Sequence, residues 1–62
     1  MPASLSLGLA IVQVLRQYRR LLPIDFVAQR TGHTSSEVRR YLAELEHHQV
    51  ALVLGDNVRL AS

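Results

Sequence analysis

"TGHTSSEVRRYLAEL", residues 31–45, sets a glycine and three small hydroxyl residues directly before an apolar series with helical spacing. Val38, Tyr41, Leu42 and Leu45 recur at three- and four-residue intervals, which predicts a helix burying that side. Thr34 and Glu37 fit the S/T-x-x-E capping pattern, so Thr34 is the expected N-cap, and the helix runs from there to about His48. Gly32 precedes it at the point where a positive φ costs no Cβ clash, so the chain is expected to turn sharply there and project the helix outward. With the apolar side facing in, Ser36, Arg40, Ala43 and His47 lie opposite, with Arg39 on one flank. Glu37 and Glu44 fall on the other flank, where Glu44 is spaced to pair with Arg40.

Upstream, Leu7, Ile11, Val14, Leu15, Tyr18 and Leu22 predict a first helix from about residue 5 to about residue 21, with Ser4 or Ser6 as N-cap and Pro23 as the stop. Asp25 is placed to cap a short second helix over Phe26 to Arg30, with Phe26, Val27 and Ala28 toward the other helices. Downstream, "VALVL" and "VRL" are β-prone runs on either side of "GDN", a turn signal, and predict a hairpin. Residues 1–62 thus read as one small domain, mainly α with a C-terminal β-hairpin.

Composition supports a folded domain and narrows its chemistry. The chain has 62 residues, 48% of them hydrophobic and 19% charged, enough apolar material for one modest core and too much for disorder. With no cysteine, disulfides, thiolate metal sites and cysteine nucleophiles are excluded. The seven basic residues are all arginine against five acidic ones, giving a net charge of +2 and an isoelectric point near 9.9. They cluster as Arg16, Arg19 and Arg20, and as Arg39 and Arg40, with Arg30 and Arg59 alone. Such clusters suit a polyanion-facing side, and equally a solvated face that keeps a small domain soluble. His33, His47 and His48 share no metal-binding spacing and read as surface residues, because adjacent histidines on a helix point about 100° apart. With no phosphate loop, nucleophile elbow or acid–base pair, no cofactor, metal or catalysis is expected. The run Leu7–Leu15 falls far short of the ~20 residues that span a bilayer, and no positive residue precedes it as in a signal peptide, so a cytoplasmic protein is expected.

Residues 24–43 resemble the helix-turn-helix motif: Ala28 stands where a small residue lets two helices cross, Gly32 takes the turn and Val38 is the buried apolar residue of the second helix. Continued through "VRRYLAELEHHQVALVLGDNVRL", the chain is similar to the winged-helix domains of bacterial and archaeal transcription regulators. The resemblance implies a winged helix, a three-helix helix-turn-helix core with a C-terminal wing, whose third helix enters the major groove of double-stranded DNA. The residues placed toward DNA are Thr34, Ser35, Ser36, Arg39, Arg40, Ala43 and Arg59. Arginine reads guanine through two parallel hydrogen bonds, serine and threonine reach phosphate or base edges, and Ala43 permits close approach. The short wing, with one Asp and one Arg at or near its tip, leaves the grip to the third helix.

A second expectation concerns partners. Leu5, Leu9 and Val12 lie on the first helix opposite its core stripe, and an apolar face of that kind marks an interface, in a homodimer or against another domain. Two functions therefore stand side by side: a DNA-binding domain of a transcription regulator or another DNA-handling protein, and a winged helix serving as a protein-interaction module in a larger assembly.

Overall fold

The computed structural model describes residues 3–61, with side chains from Ser6 onward. Its elements follow in the order α1 (Ala3–Tyr18), β1 (Leu22–Pro23), α2 (Ile24–Thr31), α3 (Ser35–His47), β2 (Ala51–Leu54) and β3 (Asn57–Leu60). The strands form one antiparallel sheet in the order β1-β3-β2. Ala51 pairs with Leu60 and Leu54 with Asn57 around the two-residue turn Gly55–Asp56, so the expected hairpin is present. This arrangement of three helices and a C-terminal hairpin is a winged helix.

One side chain set from every element meets in the middle. Leu7, Ile11 and Leu15 of α1, Ile24, Val27 and Ala28 of α2, Val38 and Leu42 of α3, and Leu22, Ala51 and Val58 of the sheet form a single buried cluster. Each large aliphatic side chain removed from water in this way contributes about 1.5–3 kcal/mol, which is how so short a chain holds three helices in place. Val14, Tyr18, Phe26, Tyr41 and Leu45, expected in the core, line its margin and are only half-buried. Tyr18 and Phe26 meet there edge to face, with ring centroids 5.3 Å apart.

The first helix is shorter at its C-terminus than its apolar spacing predicts. It ends at Tyr18, Arg19 turns into the left-handed region at φ 51°, and Leu22 enters a strand instead of a last helical turn. Two causes combine. A residue before proline is pushed toward extended backbone, which disfavours a helical Leu22 ahead of Pro23. In the strand, Leu22 pairs with Val58 and is buried against the core, a gain that a frayed helix end would not supply. The second helix begins at Ile24, two residues earlier than expected, with Pro23 and not Asp25 in the N-cap position and no side-chain cap. The Ile24 N–H is satisfied by the Asp56 carbonyl at 2.8 Å, which fastens the start of α2 to the tip of the wing.

Helix packing depends on a small residue that the apolar spacing does not reveal. Gly8 of α1 is buried, and a methyl group built on it would lie 2.6 Å from the Tyr41 ring. The ring therefore rests on bare helix backbone, and α3 approaches α1 more closely than a side chain at this point would allow.

Candidate nucleic-acid interface

Local signals set the orientation of α3. Gly32 ends α2 at φ 74° and ψ 26°, and its N–H and that of His33 both bond to the Ala28 carbonyl. Nothing lies within 4 Å of a Cβ built at Gly32, so glycine is required there by φ alone. Two residues on, the expected capping box is complete: Glu37 N–H donates to Thr34 Oγ1 at 3.1 Å, and Thr34 N–H donates to Glu37 Oε1 at 2.9 Å. These bonds favour the ionised carboxylate, so the Thr34 N–H first, then its hydroxyl, and then the positive potential of His33 hold the Glu37 pKa below the ordinary glutamate value. Ser35 Oγ donates to Asp25 Oδ1 at 2.6 Å, which ties the first residue of α3 to the first turn of α2.

The residues placed toward DNA in the sequence fall into three groups. Thr34 and Ser35 lie at the N-terminus of α3, but their hydroxyls are engaged by Glu37 and Asp25. Ser36, Arg39, Arg40 and Ala43 are all exposed along one side of α3, which Val38 and Leu42 anchor from behind. Arg59 stands apart, exposed on β3 in register with Leu52 and lining a groove with Arg16, Arg19 and Arg20. The groove takes no lining from α3.

Within the α3 face the two arginines differ. The Arg39 guanidinium donates to Asp56 Oδ1 at 2.6 Å, reaching from the helix to the wing tip. Sequence spacing gives no hint of this pairing, which spans 17 positions. Arg40 has no ion pair among the described residues, and the expected pairing with Glu44 does not form. Glu44 instead approaches His48 Nε2 at 3.9 Å. The reason lies in helix polarity: a carboxylate N-terminal to its basic partner at i, i+4 is better placed than the reverse order, and His48 offers that order whereas Arg40 does not. His33 and Glu37 form a similar pair at 3.7 Å on the same flank, and Glu37, Glu44 and Arg40 border one shallow pocket without the arginine pairing with either carboxylate.

Of the second apolar face on α1, Leu9 is 56% exposed and Val12 is half-buried, while the side chain of Leu5 lies outside the described residues. No group of three or more His, Asp or Glu side chains that would hold a metal ion occurs among the described residues.

A helix pair joined by a glycine turn, with the second helix exposing a basic and small outer side and followed by a short antiparallel wing, defines the winged helix-turn-helix class of DNA-binding domains. Residues 4–51 match the model of the IclR helix-turn-helix domain, well over half of the chain, and the protein belongs to that family. It is a DNA-binding domain of a transcription regulator. The matched span ends at Ala51, the first residue of β2, so the wing lies almost wholly beyond it. No curated protein matches the chain. No helix among the described residues is long and apolar enough to cross a membrane.

Proposed function

We propose that α3 enters the major groove and meets DNA through Ser36, Arg39, Arg40 and Ala43, with the amides at its start near phosphate. The observation that carries this reading is the exposed outer side of α3, where Ser36, Arg40, Ala43 and His47 include no acidic residue and Arg40 has no ion pair among the described residues, while Glu37 and Glu44 on the adjoining flank approach His33 and His48. Arg40 is free to meet a phosphate or a base edge. Arg39 offers the nitrogens not used by Asp56, and a guanidinium already held by one partner has fewer orientations to lose on binding. Thr34 and Ser35 act chiefly by setting the helix, since their hydroxyls are already spent. Arg59, read in the sequence with this set, belongs to the separate groove. The role is regulatory, in the cytoplasm, with no catalysis assigned to it.

The test is a titration of duplex DNA across salt concentrations, comparing the parent with Arg39→Ala, Arg40→Ala. The double variant is expected to bind more weakly and to flatten the plot of log K against log salt by about 0.9 for each phosphate that it no longer neutralises. Undiminished binding by a folded double variant would remove α3 from the interface.

The exposed Leu9 beside half-buried Val12 also supports a partner on α1, either a second copy of the chain or another domain. A two-fold pair would present two α3 helices to a symmetric site. Sedimentation across a wide concentration range tests the homodimer, and a chain that stays monomeric at millimolar concentration leaves only docking on another domain.

A further inference from the structure

Four of the five arginines outside α3 gather in one place, and only Arg30 on α2 stands apart. Arg16, Arg19, Arg20 and Arg59, four of the seven in the chain, line one groove of about 890 Å³. It is built from the end of α1, the α1–β1 connection, the residues after α3 and the outer side of the hairpin. None of its lining residues is acidic, and none of the four guanidinium groups has an ion pair or hydrogen bond among the described residues.

The same groove gathers apolar surface. Leu21, Val50 and Leu54 line it at 43%, 38% and 49% exposure, and the one other large hydrophobic side chain so exposed among the described residues is Leu9 on α1. Arginine and leucine are thus interleaved on a surface that the core does not use. A phosphate backbone would satisfy the arginines but would leave the leucines wet. A purely apolar partner would cover the leucines and strand four unpaired charges, which is costly once water is excluded.

A second copy of this chain is a poorer match, because its five carboxylates are spread over α2, α3 and the hairpin turn, far from its exposed Leu21 and Leu54 in sequence apart from Asp25 and Asp56, and each already contacts a group of its own fold. Asp25 accepts from Ser35, Glu37 caps α3, and Asp56 holds Arg39. Glu44 lies against His48, and Glu46 accepts from the Val53 N–H at 3.4 Å.

From this juxtaposition of four unpaired arginines with exposed Leu21, Val50 and Leu54, we infer that the groove docks an acidic peptide segment of a partner protein carrying large apolar side chains. Carboxylates of the segment meet the arginines at the rim, and its apolar side chains cover the leucines, the arrangement of charged rim and apolar centre common to protein interfaces. The inference is independent of the DNA reading of α3. No lining residue comes from α2 or α3, so an occupied groove leaves the outer side of α3 open.

The experiment follows backbone amide signals of the whole chain during titration with a short designed peptide of glutamate and leucine. Control peptides replace every leucine by serine or every glutamate by lysine. The expected result is that signals of Leu21, Val50, Leu54 and Arg59 shift with the glutamate–leucine peptide, with binding at least about tenfold weaker for either control, a difference of about 1.4 kcal/mol. Arg20→Glu, Arg59→Glu should lose binding by a similar factor while keeping a folded amide spectrum. If that pair unfolds the chain, Arg59→Gln with Leu54→Ser serves in its place. Arg39→Ala, Arg40→Ala should leave peptide binding intact, which separates failure here from failure of the α3 reading. Equal binding of the serine control, displacement of the peptide by duplex DNA with shifts in the same groove signals, or no shift at the groove would each overturn the inference.

Discussion

The C-terminal ends of α2 and α3 make the same manoeuvre with different residues. At the end of α2, Gly32 turns left-handed at φ 74° and the amides that follow bond back to Ala28. At the end of α3, Gln49 does so at φ 62°, with its N–H on the Glu46 carbonyl and the Val50 N–H on Leu45 at 2.8 Å. This pair of bonds is the Schellman arrangement. A side chain with a Cβ costs roughly 1–2 kcal/mol in that backbone region, so the first end is relaxed and the second is held against a preference. What holds it is the strand beyond. Val50 accepts from the Ala61 N–H at 3.0 Å, and Ala51 is buried and paired with Leu60, so the chain has to leave α3 in the direction of β2. Arg19, at φ 51° beyond α1, is a second case of the held kind, with Leu22 buried three residues later. The difference teaches that one helix end in this fold is written into its own residue and two are imposed by the sheet.

The sharpest way to break the comparison is to make the relaxed end a strained one. Gly32→Val is expected to destabilise by more than ~1 kcal/mol, because a β-branched side chain strongly resists positive φ. No clash contributes, since the space around a Cβ at Gly32 is open. For a domain of this size the change lowers the melting temperature by about 4–8 °C per kcal/mol. A variant melting with the parent would show that the turn relaxes without cost.

The reverse substitution sharpens the comparison with a smaller effect of opposite sign. Gln49→Gly relieves the left-handed Cβ cost but returns about 0.4–1 kcal/mol of backbone freedom to the unfolded chain, so a net stabilisation of about 0.5 kcal/mol is expected. Denaturant unfolding measures it. A destabilised variant would mean that the Gln49 side chain holds the end of α3 by itself.

The same division explains what could be read from the sequence. The turn at Gly32, the cap at Thr34 and the hairpin around Gly55–Asp56 rest on residues within four positions of one another, and each is legible as a short pattern. β1 is not, because a two-residue strand has no period and Leu22 is extended only through Pro23 and distant Val58. Gly8 reads as a helix position of low propensity, and its use becomes visible only with Tyr41 lying on it. At the candidate interface, the exposed side of α3 follows from helical spacing. The attachment of Arg39 to Asp56 and the separation of Arg59 from α3 do not, because both depend on where the hairpin is laid against the helices.

The smallest expected effect concerns the start of α3, where the relaxed turn hands over to the capping box. Glu37 is exposed and its pKa is lowered, chiefly by the Thr34 N–H, so the cap is a local device with a pH dependence of its own. A depressed folded pKa means that the stabilisation is present above the ordinary glutamate value. It is lost as pH falls through the lower folded value, when the carboxylate takes up a proton and the Thr34 N–H loses a charged acceptor. The protection of the first-turn amides of α3, taken as the measured exchange rate relative to the intrinsic rate at each pH, should therefore fall on acidification while that of buried Val27 and Leu42 stays high. Glu37→Gln retains an oxygen for the Thr34 N–H but has no proton to gain, so its first turn should be slightly less protected at neutral pH and should lose the contribution that titrates with Glu37. His33 lies 3.7 Å from the same carboxylate, so His33→Ala is the companion measurement. If His33→Ala abolishes the acid response and Glu37→Gln preserves it, the handle on α3 is the histidine pairing, and the start of the helix is set by its neighbours in the same sense as its end.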